Sequence, residues 1–199
     1  MIALARADSA LKSGRDVVDA LKKNPDALSI ALTSNGHRLS IGMPLLKGGI
    51  TLKGIRMPAF KGGGETVTAV LGGHADLLVT SVSTSLPHIT AGKMRGLAVS
   101  STRRLSGPLA AVPTWQELGF QSSGSWKGVM GPKGITPAQI AFWEDVMRRV
   151  AQSEELRQYA DKNQWLLEFK GAAETKKWLD DEFAALKTAM TELGLVRQQ

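Results

Sequence analysis

Cysteine is absent from the 199-residue chain, which excludes disulfides, thiolate nucleophiles and cysteine-held zinc or iron–sulfur centres. Aromatic residues make up only 6%, with a single tyrosine, and few of them stand among the basic residues. With no zinc-finger, RNP or basic-region pattern either, a nucleic-acid partner has neither a stacking platform nor a reading motif. No apolar run reaches the roughly 18 residues needed to cross a bilayer, and the first residues do not read as a basic-then-apolar export signal. The fingerprints of common enzymes are missing too: there is no Gly-x-Ser-x-Gly elbow, His-Glu-x-x-His helix, P-loop or Gly-x-Gly-x-x-Gly turn. The three histidines, His37, His74 and His88, fall on separate segments, which argues against a catalytic cluster. The expectation is a protein that is not an enzyme and carries no cofactor or metal.

What is present is a core and an uneven charge. Hydrophobic residues make up 43% of the chain, and its net charge is +7. Residues 1–124 hold 14 Lys and Arg against 7 Asp and Glu, whereas residues 125–199 hold 11 of each. The whole excess lies in the first part, where it favours anionic ligands. Apolar runs of strand type alternate there with helical ones, the pattern of an α/β sheet covered by helices. Strands are expected at residues 28–32, 51–58, 75–79 and 95–100. Helices are expected at 15–23, 39–46, 65–71 and 84–90, with Pro44 kinking the second or delaying its start. Beyond a polar loop the pattern changes. Strands at 126–130 and 165–169 and helices at 137–151, 154–162 and 172–193 are expected, with Thr136-Pro137 and Ser153 starting the first two helices. These features divide the chain into an α/β ligand-binding lobe, 1–124, and a helical part, 125–199, whose apolar faces lack a sheet.

Three strand-to-helix loops stand out. Phe60-Lys61-Gly62-Gly63-Gly64-Glu65 joins an ammonium to glycines that let a ligand approach free backbone N–H groups at a helix start. It reads equally as a tight turn with a solvated lysine. Thr33-Ser34-Asn35-Gly36-His37 and Thr80-Ser81-Val82-Ser83 hold the same position relative to their strands. In an open α/β sheet all three would gather at the carboxyl edge, where their hydroxyls, amide, lysine and N–H groups suit a carboxylate. Taken singly, Thr33, Ser34 and Ser83 also read as helix caps. The candidate ligand-binding residues are Thr33, Ser34, Asn35, Gly36, His37, Lys61, Gly62, Gly63, Thr80 and Ser81.

Longer motifs carry a resemblance. They are Phe60-Lys61-Gly62-Gly63-Gly64, then Leu71-Gly72-Gly73-His74-Ala75-Asp76-Leu77, then Leu86-Pro87-His88-Ile89-Thr90-Ala91-Gly92-Lys93-Met94-Arg95-Gly96-Leu97-Ala98-Val99. Val112-Pro113-Thr114-Trp115-Gln116-Glu117-Leu118-Gly119-Phe120, Ser125-Trp126-Lys127-Gly128-Val129 and Gly131-Pro132-Lys133-Gly134-Ile135-Thr136-Pro137 continue it. In order and spacing they resemble the substrate-binding proteins of tripartite tricarboxylate transporters, the Bug or TctC-like family. The resemblance implies a periplasmic, two-lobed binding protein of type II that clamps a small carboxylate and hands it to membrane permease subunits. A ligand-sensing module of the same fold outside transport is the alternative. Many relatives have Asp-Asn where this chain has Thr80-Ser81, and Pro where it has Glu65. Relatives also carry a signal peptide and most of a first lobe ahead of the matching region. Against that pattern, this chain reads as the second lobe plus the helices that return to an incomplete first lobe, with self-association a further expectation.

Half a clamp binds weakly. Two charge-assisted hydrogen bonds at roughly 2 kcal/mol each and a helix-end contribution of about 1 kcal/mol give about 5 kcal/mol gross, against about 4 kcal/mol or more lost on association. Millimolar affinity or none is the expectation for the chain alone.

Overall fold

The computed structural model describes residues 1–122 and 124–192. Met1–Ser125 belongs to one compact unit and Trp126–Ala185 forms a second.

Ile2–Arg6 (β1) is a short apolar run in which the first four residues are buried. It lies inside the sheet, where sequence patterning assigned no strand. Helix α1, Gly14–Lys23, begins where the Asp16 carboxylate accepts the Ser13 N–H at 2.9 Å, and it buries Val17, Val18 and Leu21. Ile30–Ala31 (β2) leads into α2, Asn35–Lys47, which runs through Pro44 without ending there. Next come α3, Gly63–Leu71; β3, Leu77–Thr80; α4, Val82–Thr90; and β4, Met94–Val99. The sheet order is β2-β3-β1-β4, with β2 parallel to β3 and β1 antiparallel to both neighbours, so the sheet is open and mixed.

The expected strand at 51–58 is only an edge segment. Residues 56 and 59 pair singly, in parallel, with Ser29 and Leu32, the Phe60 N–H meets the Leu32 carbonyl at 2.8 Å, and no longer ladder forms. Pro58 lies between the two bridges and has no N–H to give, which confines such a segment to a sheet edge. The main core holds Val17, Val18 and Leu21 of α1, Ile41 and Leu45 of α2, Val79, Leu97 and Trp115. Val67 and Val70 of α3 and Val82 of α4 are buried as well.

The motif around Asp76 fixes strand register. Its carboxylate accepts both the Ser29 N–H, at 2.7 Å, and the Ser29 hydroxyl, at 2.8 Å, while the Asp76 N–H reaches the Ser29 Oγ at 3.1 Å. The start of β3 is thereby tied to the residue before β2. Gly73 supplies the left-handed turn, at φ 76°, that leads the chain out of α3 into this clamp. Asp76→Ala would leave the buried Ser29 amide without its side-chain partner. The expected cost is about 1–3 kcal/mol in urea unfolding; an unchanged midpoint would dismiss the clamp.

The second unit contains α5, Pro137–Gln152, and α6, Glu154–Asn163, and α7, Ala172–Glu192, lies largely within it. Thr136 and Gln139 form a reciprocal cap on α5, and the Ser153 hydroxyl accepts the Leu156 N–H at the start of α6. The strands expected at 126–130 and 165–169 are corrected here, because neither pairs with anything among the described residues. Both runs have strand composition, but a strand exists only where a second backbone offers it hydrogen bonds. The end expected for the last helix, at residue 193, lies outside the described residues.

Candidate functional site

Strand direction brings the three loops to one edge of the sheet. Because β2 and β3 are parallel neighbours, Thr33 and Ser81 emerge side by side just past their carboxyl ends. The edge segment runs parallel to β2 on its other side, so Lys61 leaves next to Thr33, held by the Phe60 N–H to Leu32 carbonyl bond. Three helix N-termini therefore open along one rim: α2 behind Ser34, α3 behind Gly62 and α4 behind Ser81.

Each start is built differently. The Ser34 hydroxyl accepts the His37 N–H at 3.3 Å, while Ser34, Asn35 and Gly36 are exposed. Gly62 provides no side-chain cap, which leaves the first N–H groups of α3 open beside the exposed Lys61. Any side chain at Gly63 would start 3.2 Å from the Thr84 methyl, which shows how closely α3 approaches α4. The Ser81 hydroxyl caps α4 through the Thr84 N–H and also meets the Thr84 hydroxyl at 2.8 Å. Thr80 is buried rather than exposed on the rim.

Two charged groups shape the rim. The Lys61 N–H donates to Glu65 Oε2 at 3.1 Å, which ties one amide to the chain's own carboxylate. Arg38 reaches from α2 to the Met57 carbonyl at 3.2 Å and braces the segment that delivers Lys61. The His37 ring nitrogen Nδ1 lies 3.0 Å from the Thr33 hydroxyl. Burial holds the partly buried imidazole below its ordinary pKa. An imidazole held below its ordinary value of about 6.5 is mostly neutral at pH 7.

A fourth loop reaches the same edge. Both β3 and β4 run antiparallel to β1, with Ile2 opposite Thr80 on one side and Val99 on the other, so Ser100 and Ser101 leave where Ser81 does. The buried Ser100 hydroxyl meets the Ser40 hydroxyl of α2 at 2.9 Å. The hydroxyl run Ser100-Ser101-Thr102 after a strand was the available signal. Among the described residues no cluster of three His, Cys, Asp or Glu could hold a metal, and no helix is long and apolar enough to cross a membrane.

A sequence model of the tripartite tricarboxylate transporter family receptor, TctC, matches residues 1–195. The chain belongs to the TctC family. Its members are receptors of transporters, binding proteins rather than enzymes. Among curated relatives, protein BugT of Bordetella pertussis is 33% identical over 146 residues, covering 69% of this chain and 44% of BugT. A TctC solute-binding protein from Polaromonas, solved without ligand, has the same fold at a TM-score of 0.79 and 22% identity, over 96% of this chain and 65% of its own. MatC from Rhodopseudomonas palustris, solved with bound malate, matches at 0.69 and 19% identity, over 94% of this chain and 65% of its own. The TctC chain described here thus spans less than half of BugT and about two thirds of the solved proteins. The α/β lobe with its open mixed sheet is a periplasmic-binding-protein fold.

Proposed function

We propose that this TctC chain recognises a small carboxylate as part of a periplasmic solute-binding protein and delivers it to the membrane permease subunits of a tripartite transporter. In this reading residues 1–124 are the ligand-binding lobe, and residues 125–199 belong to the other lobe and take part in self-association. The supporting observation is the convergence of three helix N-termini and one ammonium on a single rim of the sheet. Thr33, Ser34, Asn35, Gly36, His37, Lys61, Gly62, Gly63 and Ser81 line it, next to the buried Thr80. Backbone N–H groups with positive helix-end potential stabilise a carboxylate there without requiring many charged side chains. The malate in the Rhodopseudomonas relative makes dicarboxylates the first compounds to try.

Titration of the isotope-labelled chain with malate and its homologues, followed by amide chemical shifts, tests the reading. Saturable shifts confined to residues 33–37, 60–65 and 80–84 are expected, with a millimolar constant. Shifts elsewhere, or none that saturate, reject the site, and a submicromolar constant for a monomer rejects the half-clamp.

Binding has a pH signature. A carboxylate beside His37 favours the imidazolium, so binding takes up a proton. Affinity is expected to rise as pH falls from neutral toward the lowered pKa of the free imidazole, and to level off beneath it. Without ligand the sign for stability is opposite. The native imidazole holds its proton less tightly than the unfolded one, so stability declines as pH drops through about 6.5 toward the lowered native value. An affinity independent of pH between 5 and 7, roughly the range in which histidine titrates, would remove His37 from the site.

A further inference from the structure

The loop that delivers Lys61 also carries a negative charge. Glu65 is the third residue of α3, and its Oε2 accepts the Lys61 N–H at 3.1 Å. That amide lies directly ahead of Gly62, at a helix start that no side chain caps. A carboxylate therefore already sits against the rim, and it is the chain's own. Two further observations give this contact a bearing on ligands. Glu65 is exposed, so its side chain can leave the amide without opening the core, whereas the neighbouring Thr66 and Val67 are buried. Lys61 is exposed too, yet among the described residues its ammonium forms no ion pair with the Glu65 carboxylate. The negative charge is thus held by a main-chain N–H and a helix end, with no salt link to the lysine.

We propose that Glu65 sets the charge class of ligand this lobe accepts, favouring a monocarboxylate that carries hydrogen-bond donors over a dicarboxylate. The proposal deepens the carboxylate reading above and rests on it. A ligand carboxylate that takes the Lys61 amide has to displace Glu65, and the displaced group, tethered to the first turn of α3, stays beside the site. One incoming carboxylate is compensated there by the ammonium and the open N–H groups. A second one meets Glu65, and like charges brought together oppose binding more strongly than a missing contact does. A hydroxyl or ammonium on the ligand gains instead, because the freed Glu65 oxygens can accept its hydrogen bond. The substrate class is therefore a hydroxy- or amino-monocarboxylate. An acidic residue in the first turn also stabilises a helix. That role alone predicts the opposite sign, since neutralising Glu65 would then loosen the start of α3 and weaken every ligand.

Malate is lactate with a carboxylate added to its methyl group, so the two compounds isolate the second charge. Both are titrated into the labelled full chain, parent and Glu65→Gln, at pH 7 and one ionic strength, because salt screens such repulsion. The parent is expected to bind lactate at least as tightly as malate. Glu65→Gln keeps the length of the side chain and removes its charge. It is expected to strengthen malate by roughly tenfold, the scale of one charge-assisted hydrogen bond, and lactate by clearly less. Glu65→Ala, which cannot hold the amide at all, should move the ratio in the same direction, and circular dichroism checks that both variants fold. A parent that prefers malate, a malate-to-lactate ratio unchanged in the variants, or a weaker hold on malate in Glu65→Gln would overturn the proposal. Rim shifts that saturate with an unchanged ratio reject only the role of Glu65. If neither compound gives saturable rim shifts in parent or variants, the carboxylate site itself is rejected and the proposal falls with it.

Discussion

Trp115→Ala is expected to cost about 3–5 kcal/mol of unfolding free energy, a large fraction of the 5–15 kcal/mol that holds a typical domain together. The indole is 1% exposed and packs edge-on against Phe120 at a centroid distance of 6.3 Å. It also fills the space above Gly14, where a Cβ would come within 2.5 Å of the ring. Its backbone N–H meets the Val99 carbonyl at 3.1 Å, which places the ring at the joint between α1 and β4. The cavity left by its removal cannot be closed by Gly14, which has no side chain to move. Urea unfolding followed by far-ultraviolet circular dichroism measures the loss without relying on the deleted fluorophore. A loss below about 1 kcal/mol, the level of an ordinary substitution, would mean that the site collapses far more readily than its packing indicates.

Lys61→Glu is expected to abolish carboxylate binding while leaving stability within about 0.5 kcal/mol of the parent, as for an exposed position. Loss of one charge-assisted hydrogen bond costs about 1.5–3 kcal/mol, a ten- to hundredfold weakening. Charge reversal adds repulsion to this, because Glu65 already places a carboxylate against the Lys61 amide. Starting from a millimolar constant, no saturable shift should remain. If Lys61→Glu bound malate as the parent does, the backbone rim would be acting without its ammonium, or the site would lie elsewhere.

Much of the first unit was legible because its signals are local. Ser34 reads as a cap and does cap α2, but α2, α3 and α4 begin at Asn35, Gly63 and Val82, ahead of the expected 39, 65 and 84, and Ser81 rather than Ser83 caps α4. Their gathering on one rim follows from the parallel direction of β2, β3 and the edge segment, which strand and helix alternation implies. What escaped depends on pairing between distant residues. Ile2–Arg6 is too short and too uniformly apolar to show alternation, and its place between β3 and β4 is set by partners some seventy to one hundred residues away. The hydroxyls after β4 escaped for the same reason, since only the antiparallel pairing with β1 shows which edge they reach. Residues 126–130 and 165–169 fail in the opposite sense, having strand composition without a neighbour to complete it. Glu65 was visible as a departure, yet its bond to the Lys61 amide required coordinates.

The pairing of β1 with Leu77–Thr80 and Met94–Val99 also dictates when the lobe can form. Closing loops of this span costs chain entropy before any contact is gained, which slows folding. Both hydrogen-bonding sides of β1 are satisfied only once Leu77–Thr80 and Met94–Val99 are in place. Until that pairing is complete an apolar strand edge stays open, the condition in which strands aggregate.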